Sequence, residues 1–159
     1  MKSITRLLLL PVLGLVLVAA TATAVAAQDD AATESHRLGA LWAKGSGSVE
    51  LDVGYARLGM VVNGDVTIIG PAELDVRINS ARDAVAEGGQ TIIVLDDFTG
   101  RIAIHGSDFQ VSIEGDVHLH GVGYGDASFV GTGWWKTRHH RGMWPSGEPR
   151  TDIEFGAAA

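Results

Sequence analysis

The stretch Gly100–Gly133, GRIAIHGSDFQVSIEGDVHLHGVGYGDASFVGTG, decides the fold. Apolar residues alternate with polar residues in three successive segments, and an alternation with period two is typical of strands that bury one face. The gaps between the segments contain glycine beside serine, aspartate or glutamate, which is typical of turns. The residues predicted to face inward are Ile102, Ile104, Phe109, Val111, Ile113, Val117 and Leu119.

The segments before this stretch follow the same alternation, which predicts strands around 49–53, 58–62, 66–68 and 74–78. Asn63-Gly64 is a dipeptide typical of a two-residue hairpin, and it predicts a chain reversal there. The apolar run Thr91–Leu95 indicates a central strand. Only Ser80–Gly89 breaks the pattern, and it predicts either a helix of at most two turns or a long loop.

Short strands and short loops with almost no helix predict an all-β protein. The favoured architecture is a compact antiparallel sandwich or barrel of about eight to ten short strands, because the glycine-containing gaps are typical of hairpins. The alternative is a short β-solenoid, because the glycines recur at nearly regular intervals along the chain.

The N-terminus has the pattern of a secretory signal peptide. Lys2 and Arg6 precede the apolar core 7–20, and small residues follow as cleavage sites at 24–26 or 25–27. An uncleaved membrane anchor is the alternative, since 7–27 carries no charge. The predicted organisation is a signal peptide over 1–27, a flexible leader over 28–40, one all-β domain over 41–156 and a tail over 157–159. After cleavage, a secreted or periplasmic location without membrane attachment is expected.

Composition excludes several classes of protein. The chain has 159 residues and no cysteine, which excludes disulfides, thiolate chemistry and a lipidated N-terminus. Removing Lys2 and Arg6 from 12 basic residues leaves 10 against 19 acidic ones, a net charge of −9 for the chain from Gln28. A nucleic acid is therefore not expected as a partner, because general nucleic-acid binders need a basic surface.

Three histidines form the candidate metal site. His118 and His120 lie two apart on one predicted strand and leave the same face, and His105 has the same outward parity. A His-x-His pair with a third histidine is a known way to hold zinc or copper. The alternative is that all three are solvated side chains on the polar face of a sheet.

A basic, tryptophan-rich segment follows the deciding stretch. The candidate ligand-binding residues in it are Trp134, Trp135, Arg138, Arg141 and Trp144. Exposed tryptophans can stack on sugar rings, and arginines can pair with carboxylates or phosphates of envelope polymers. The alternative is that a tryptophan fills the open end of the core while the basic residues decorate a loop. If Trp134 and Trp135 are extended, one points in and the other out.

Catalytic motifs are missing from the sequence. It contains no G-x-S-x-G, S-x-x-K or H-E-x-x-H pattern, and the acids beside glycines are typical of turns. Neither an enzyme nor a cofactor is expected, and no catalytic residue is nominated.

The spacing of glycines and aromatics resembles one known type of protein. Asp97-Phe98-x-Gly100, Gly115-x-V-x-L and Gly142-x-Trp144 are similar to patterns in small secreted bacterial proteins that have no assigned activity. More distantly, the chain looks like adhesin-type β-solenoids and bactofilin-like polymers. The resemblance implies a secreted β-rich protein and carries over no site residues.

These observations predict a non-catalytic secreted or envelope module with a structural or interaction role. Its expected partner is a surface polysaccharide, another envelope polymer or a protein. The alternative function is an extracytoplasmic metal-binding protein that uses the surface histidines. The sequence leaves the oligomeric state open.

Overall fold

The computed structural model of the chain describes residues 37–79, 81–82, 86–87, 89–147 and 149–156. The predicted signal peptide, the leader up to residue 36 and the tail 157–159 lie outside the described residues. In the described part the chain is all-β and every ladder is antiparallel, which confirms the predicted class. The sheet is not closed into a barrel, and its form is that of a β-sandwich.

The strands differ in length from the prediction of eight to ten short ones. Seven strands are described, and two of them, with 33 and 48 residues, contain most of the short segments that the sequence predicts. The Ser80–Gly89 region holds two-residue strands in its described part, so the helical alternative is wrong there. The strands are β1 Gly39–Pro71, β2 Asp75–Ile78, β3 Ala81–Arg82, β4 Ala86–Glu87, β5 Gln90–Thr137, β6 Arg141–Met143 and β7 Thr151–Phe155.

Glycines bend the two long strands without reversing them. Gly64 has φ +152° and Gly115 has φ +141°, a backbone conformation that favours glycine, and the two residues are register partners. The hairpin predicted at Asn63-Gly64 is therefore wrong: β1 continues through this dipeptide and crosses from one layer of the sandwich to the other. A glycine with this backbone conformation is compatible with a bend that continues the strand as well as with a hairpin, so the Asn-Gly dipeptide does not distinguish the two.

The bends wind β1 and β5 around one core in opposite directions. Their segments alternate within each layer, so each inner segment is paired on both sides with segments of the other strand. The first layer has the order 98–106, 55–63, 116–124, 39–46 and 132–137, with β2 and β6 added at its two edges. The second layer has the order 90–95, 66–71, 109–114, 48–53 and 125–130, with β7 added at one edge.

The core lies between the two layers and contains the residues that the alternation predicts. All seven inward residues predicted in Gly100–Gly133 are at most 3% exposed. Phe109, Phe129 and Phe155 are the largest fully buried side chains. The first strand begins at Gly39, which pairs with Gly123, so the end of the predicted leader belongs to the sheet.

Candidate functional site

The outward side of the first layer carries most of the described basic residues, and we call it the basic face. Its six lysine and arginine side chains come from six different segments of the first layer, and all six are exposed. Two exposed tryptophans and two exposed valines lie among them. The basic face consists of Lys44, Arg57, Arg77, Arg101, Lys136, Arg141, His105, His118, His120, Trp42, Trp134, Val61 and Val122.

The register of the first layer places these side chains in three rows across the strands. The middle row contains Arg77, Ala103, Gly59, His120, Trp42, Lys136 and Arg141. One flanking row contains Arg101, Val61, His118, Lys44, Trp134 and Met143. The other contains Asp75, His105, Arg57, Val122 and Ala40. Because directly opposed side chains lie about 5 Å apart, the polar, aromatic and aliphatic side chains of each row are close neighbours across the strands.

Carboxylates are sparse on this side of the sheet. In the described rows, Asp75 lies at the edge, where its Oδ2 accepts a hydrogen bond from the Arg77 guanidinium at 3.2 Å. Asp116 lies at the bend, where its register partners are Asn63 and Ser46. The basic face therefore presents positive charge on a chain whose net charge is negative.

A depression of about 550 Å³ lies on the basic face, and Gly59 and Ala103 of the middle row are among the residues that line it. The ring of His120 rests on Gly59, since a Cβ added to Gly59 would lie 2.7 Å from its Cε1 atom. The remaining lining residues include Arg77, Arg101 and His118, so two guanidinium groups border the depression.

A second depression of about 570 Å³ adjoins the first and shares His120 with it. Trp42 is one of the residues that line it. The Lys136 ammonium lies over the Trp42 indole, 5.8 Å from the ring centroid, within the range of a cation–π interaction. Arg57 and Val122 line the other side. The basic face thus offers aromatic and apolar contact surface next to fixed positive charge.

The three candidate metal ligands do not converge. Nε2 of His105 is hydrogen-bonded to the Tyr55 hydroxyl at 3.2 Å, and the two rings meet edge to face. His118 and His120 line the first depression, whereas His105 does not. Among the described residues, no group of three or more histidine, aspartate or glutamate side chains is arranged to hold a metal ion.

The structure distributes the five predicted ligand-binding residues over three places. Trp134, 40% exposed, and Arg141 lie on the basic face. Trp135 points the other way and packs against the core. Gly142 lies against the Trp135 ring, since a Cβ added to Gly142 would be 2.8 Å from that ring. Trp144 is 5% exposed and stacks on Phe129 with ring centroids 5.2 Å apart, so it belongs to the core.

Arg138 lies away from the basic face, beside a depression of about 790 Å³ at one end of the layers. A tight turn holds it there: the Thr137 amide donates to the His140 carbonyl at 2.7 Å, and the His140 amide donates to Oγ1 of Thr137 at 3.0 Å. Trp135 and the end of β7 form the other walls. The basic segment is therefore divided between two surfaces.

The outward side of the second layer carries the opposite charge, and we call it the acidic face. Its strands present no basic side chain in the described part; Arg150, which precedes β7, pairs with Glu50 at 2.6 Å. The acidic face consists of Glu50, Asp52, Asp65, Glu114, Asp126, Asp152 and Glu154. The sequence does not predict this separation of charge. The alternation along a strand shows that a residue points outward, but it does not show to which layer the residue belongs.

No family model, curated protein or solved structure matches the chain. The resemblance to small secreted bacterial proteins therefore stays a prediction. In the described part of the chain, no helix is long and apolar enough to cross a membrane.

Proposed function

We propose that the protein is a non-catalytic, extracytoplasmic interaction module whose basic face binds an anionic envelope polymer, with an acidic polysaccharide as the favoured class. The observation that carries the proposal is the concentration of six lysine and arginine side chains on one side of an acidic protein. Guanidinium groups pair with carboxylates in a bidentate geometry, and this contact is stronger than a neutral hydrogen bond.

The aromatic residues favour a sugar polymer over a simple polyanion. Trp42 and Trp134 each leave about two fifths of their surface exposed, although exposed tryptophan is uncommon in a soluble domain. Both lie in rows beside cations, so one chain of sugars can meet apolar ring surface and positive charge alternately. The first depression, with a volume of about 550 Å³, provides space for a sugar ring beside these contacts.

The test compares binding to an acidic polysaccharide, polygalacturonate, with binding to neutral dextran by affinity electrophoresis. The variant K44Q/R101Q removes two charges from the basic face, and the control R37Q/R150Q removes two charges from elsewhere. We expect retardation by polygalacturonate only, with a loss of about tenfold in affinity for the first variant and little change for the control.

Two results would contradict the proposal. Equal losses in both variants would mean that binding follows net charge and not the basic face. Tighter binding to duplex DNA of matched charge than to polygalacturonate would assign the face to a different class of polymer.

A further inference from the structure

Both faces hold charges of one sign in directly opposed positions. On the acidic face, Asp52 is the register partner of Asp126, which is in turn the partner of Glu154. On the basic face, Lys136 is the partner of Arg141. Like charges directly opposite each other on neighbouring strands are destabilising. A surface of opposite charge that covered either face would relieve this repulsion.

We propose that the basic face of one copy of this protein docks on the acidic face of a second copy. The two faces lie on the outer sides of the two layers, with the same core between them. Docking therefore leaves the acidic face of the first copy and the basic face of the second copy free. A contact between two different surfaces that does not close on itself produces an open chain of copies.

Apolar side chains on both faces add to the electrostatic contact. Trp42, Val61 and Trp134 are exposed on the basic face. Ile92 and Val94, about half exposed or more, lie on the outward side of the second layer beside the acidic residues. Removing such side chains from water on docking is favourable.

The net negative charge of the chain does not prevent this association. Repulsion between whole molecules is screened beyond about 8 Å at physiological ionic strength, whereas facing side chains meet at shorter range.

The second copy would compete with an anionic polymer for the basic face. Self-association does not depend on the proposed function, because the two faces are complementary whether or not the basic face also binds a polymer.

The experiment reverses two charges on one face at a time and then mixes the products. R57E/R101E leaves four of the six lysine and arginine side chains on the basic face and adds two carboxylates, and D52K/E154K leaves five of the seven carboxylates on the acidic face and adds two lysines. Sedimentation velocity is measured with EDTA present, which prevents bridging by divalent cations. We expect wild-type protein to form concentration-dependent oligomers, each variant alone to weaken them at least tenfold, and the equimolar mixture to form one-to-one dimers.

Formation of these mixed dimers is the decisive result, because each variant supplies the face that is weakened in the other. A mixture that stays monomeric while both variants keep the wild-type melting temperature would overturn the proposal. A wild-type measurement tests it without any variant: raising the salt concentration to about 0.5 M, where the screening length falls to a few ångströms, should dissociate the oligomers. Wild-type protein that stays monomeric up to about 100 µM, or forms oligomers indifferent to salt, would equally refute it.

Discussion

Gly47 and Gly131 touch at a bend where β1 and β5 pass together from one layer to the other. Their φ angles are +145° and +132°, and a Cβ added to either residue would lie 2.8 Å from the Cα atom of its partner. In protein structures, a Cβ atom essentially never lies so close to an atom of another residue. Only glycine fits at these two positions, because of the backbone conformation and because the other strand lies so close.

We expect G131A to destabilise the protein by about 3 kcal/mol, because it adds a backbone clash to an unfavourable φ angle. Gly147 is a matched control, since its φ angle is +130° but nothing lies within 4 Å of its added Cβ. G147A should cost about 1 kcal/mol. Urea denaturation of both variants measures the difference, and equal losses would contradict the close approach of the two strands.

The tryptophans of the basic segment should separate into core and surface residues. W144A removes a ring that stacks on Phe129 and should cost about 4 kcal/mol of unfolding free energy. W134A removes a ring that is 40% exposed and should cost less than about 1 kcal/mol, while it weakens polygalacturonate binding. Thermal denaturation and affinity electrophoresis measure the two effects. A stability loss in W134A equal to that in W144A would contradict the assigned positions.

Zinc should not stabilise the protein through His105, His118 and His120. His105 is engaged with Tyr55, and the other two histidines offer only two ligands to an ion. Differential scanning calorimetry with and without stoichiometric zinc should therefore give the same melting temperature. A stabilisation that disappears in H118Q/H120Q would restore the metal-binding alternative, because a ligand that binds the native state raises its stability.

Alternation along the sequence predicts which residues of the deciding stretch are buried. Phe109, Val111 and Ile113 are all inward, as expected from period two, because a strand cannot place neighbouring side chains on the same side. The same rule predicts that Trp134 and Trp135 point in opposite directions, which the structure confirms. These features follow from local geometry alone.

The candidate site could not be predicted in the same way. Arg101 and Glu114 are both outward residues of β5, yet they lie on opposite faces, because the chain changes layers between them. The change includes Asp108, which has φ +54°. Glycine and aspartate are compatible with a bend, a bulge or a reversal, so the sequence does not specify which one occurs. The separation of charge therefore depends on long-range pairing.

The alternation of β1 and β5 within each layer has a kinetic consequence. During synthesis β1 leaves the ribosome first, but its ladder partner throughout is β5, which follows later in the chain. Contacts between residues so distant in sequence give a high contact order, and proteins of that kind fold slowly. Until β5 arrives, the edges of β1 remain unpaired and open to the wrong partners. Refolding should accordingly be slow and sensitive to protein concentration, even where the native state is stable.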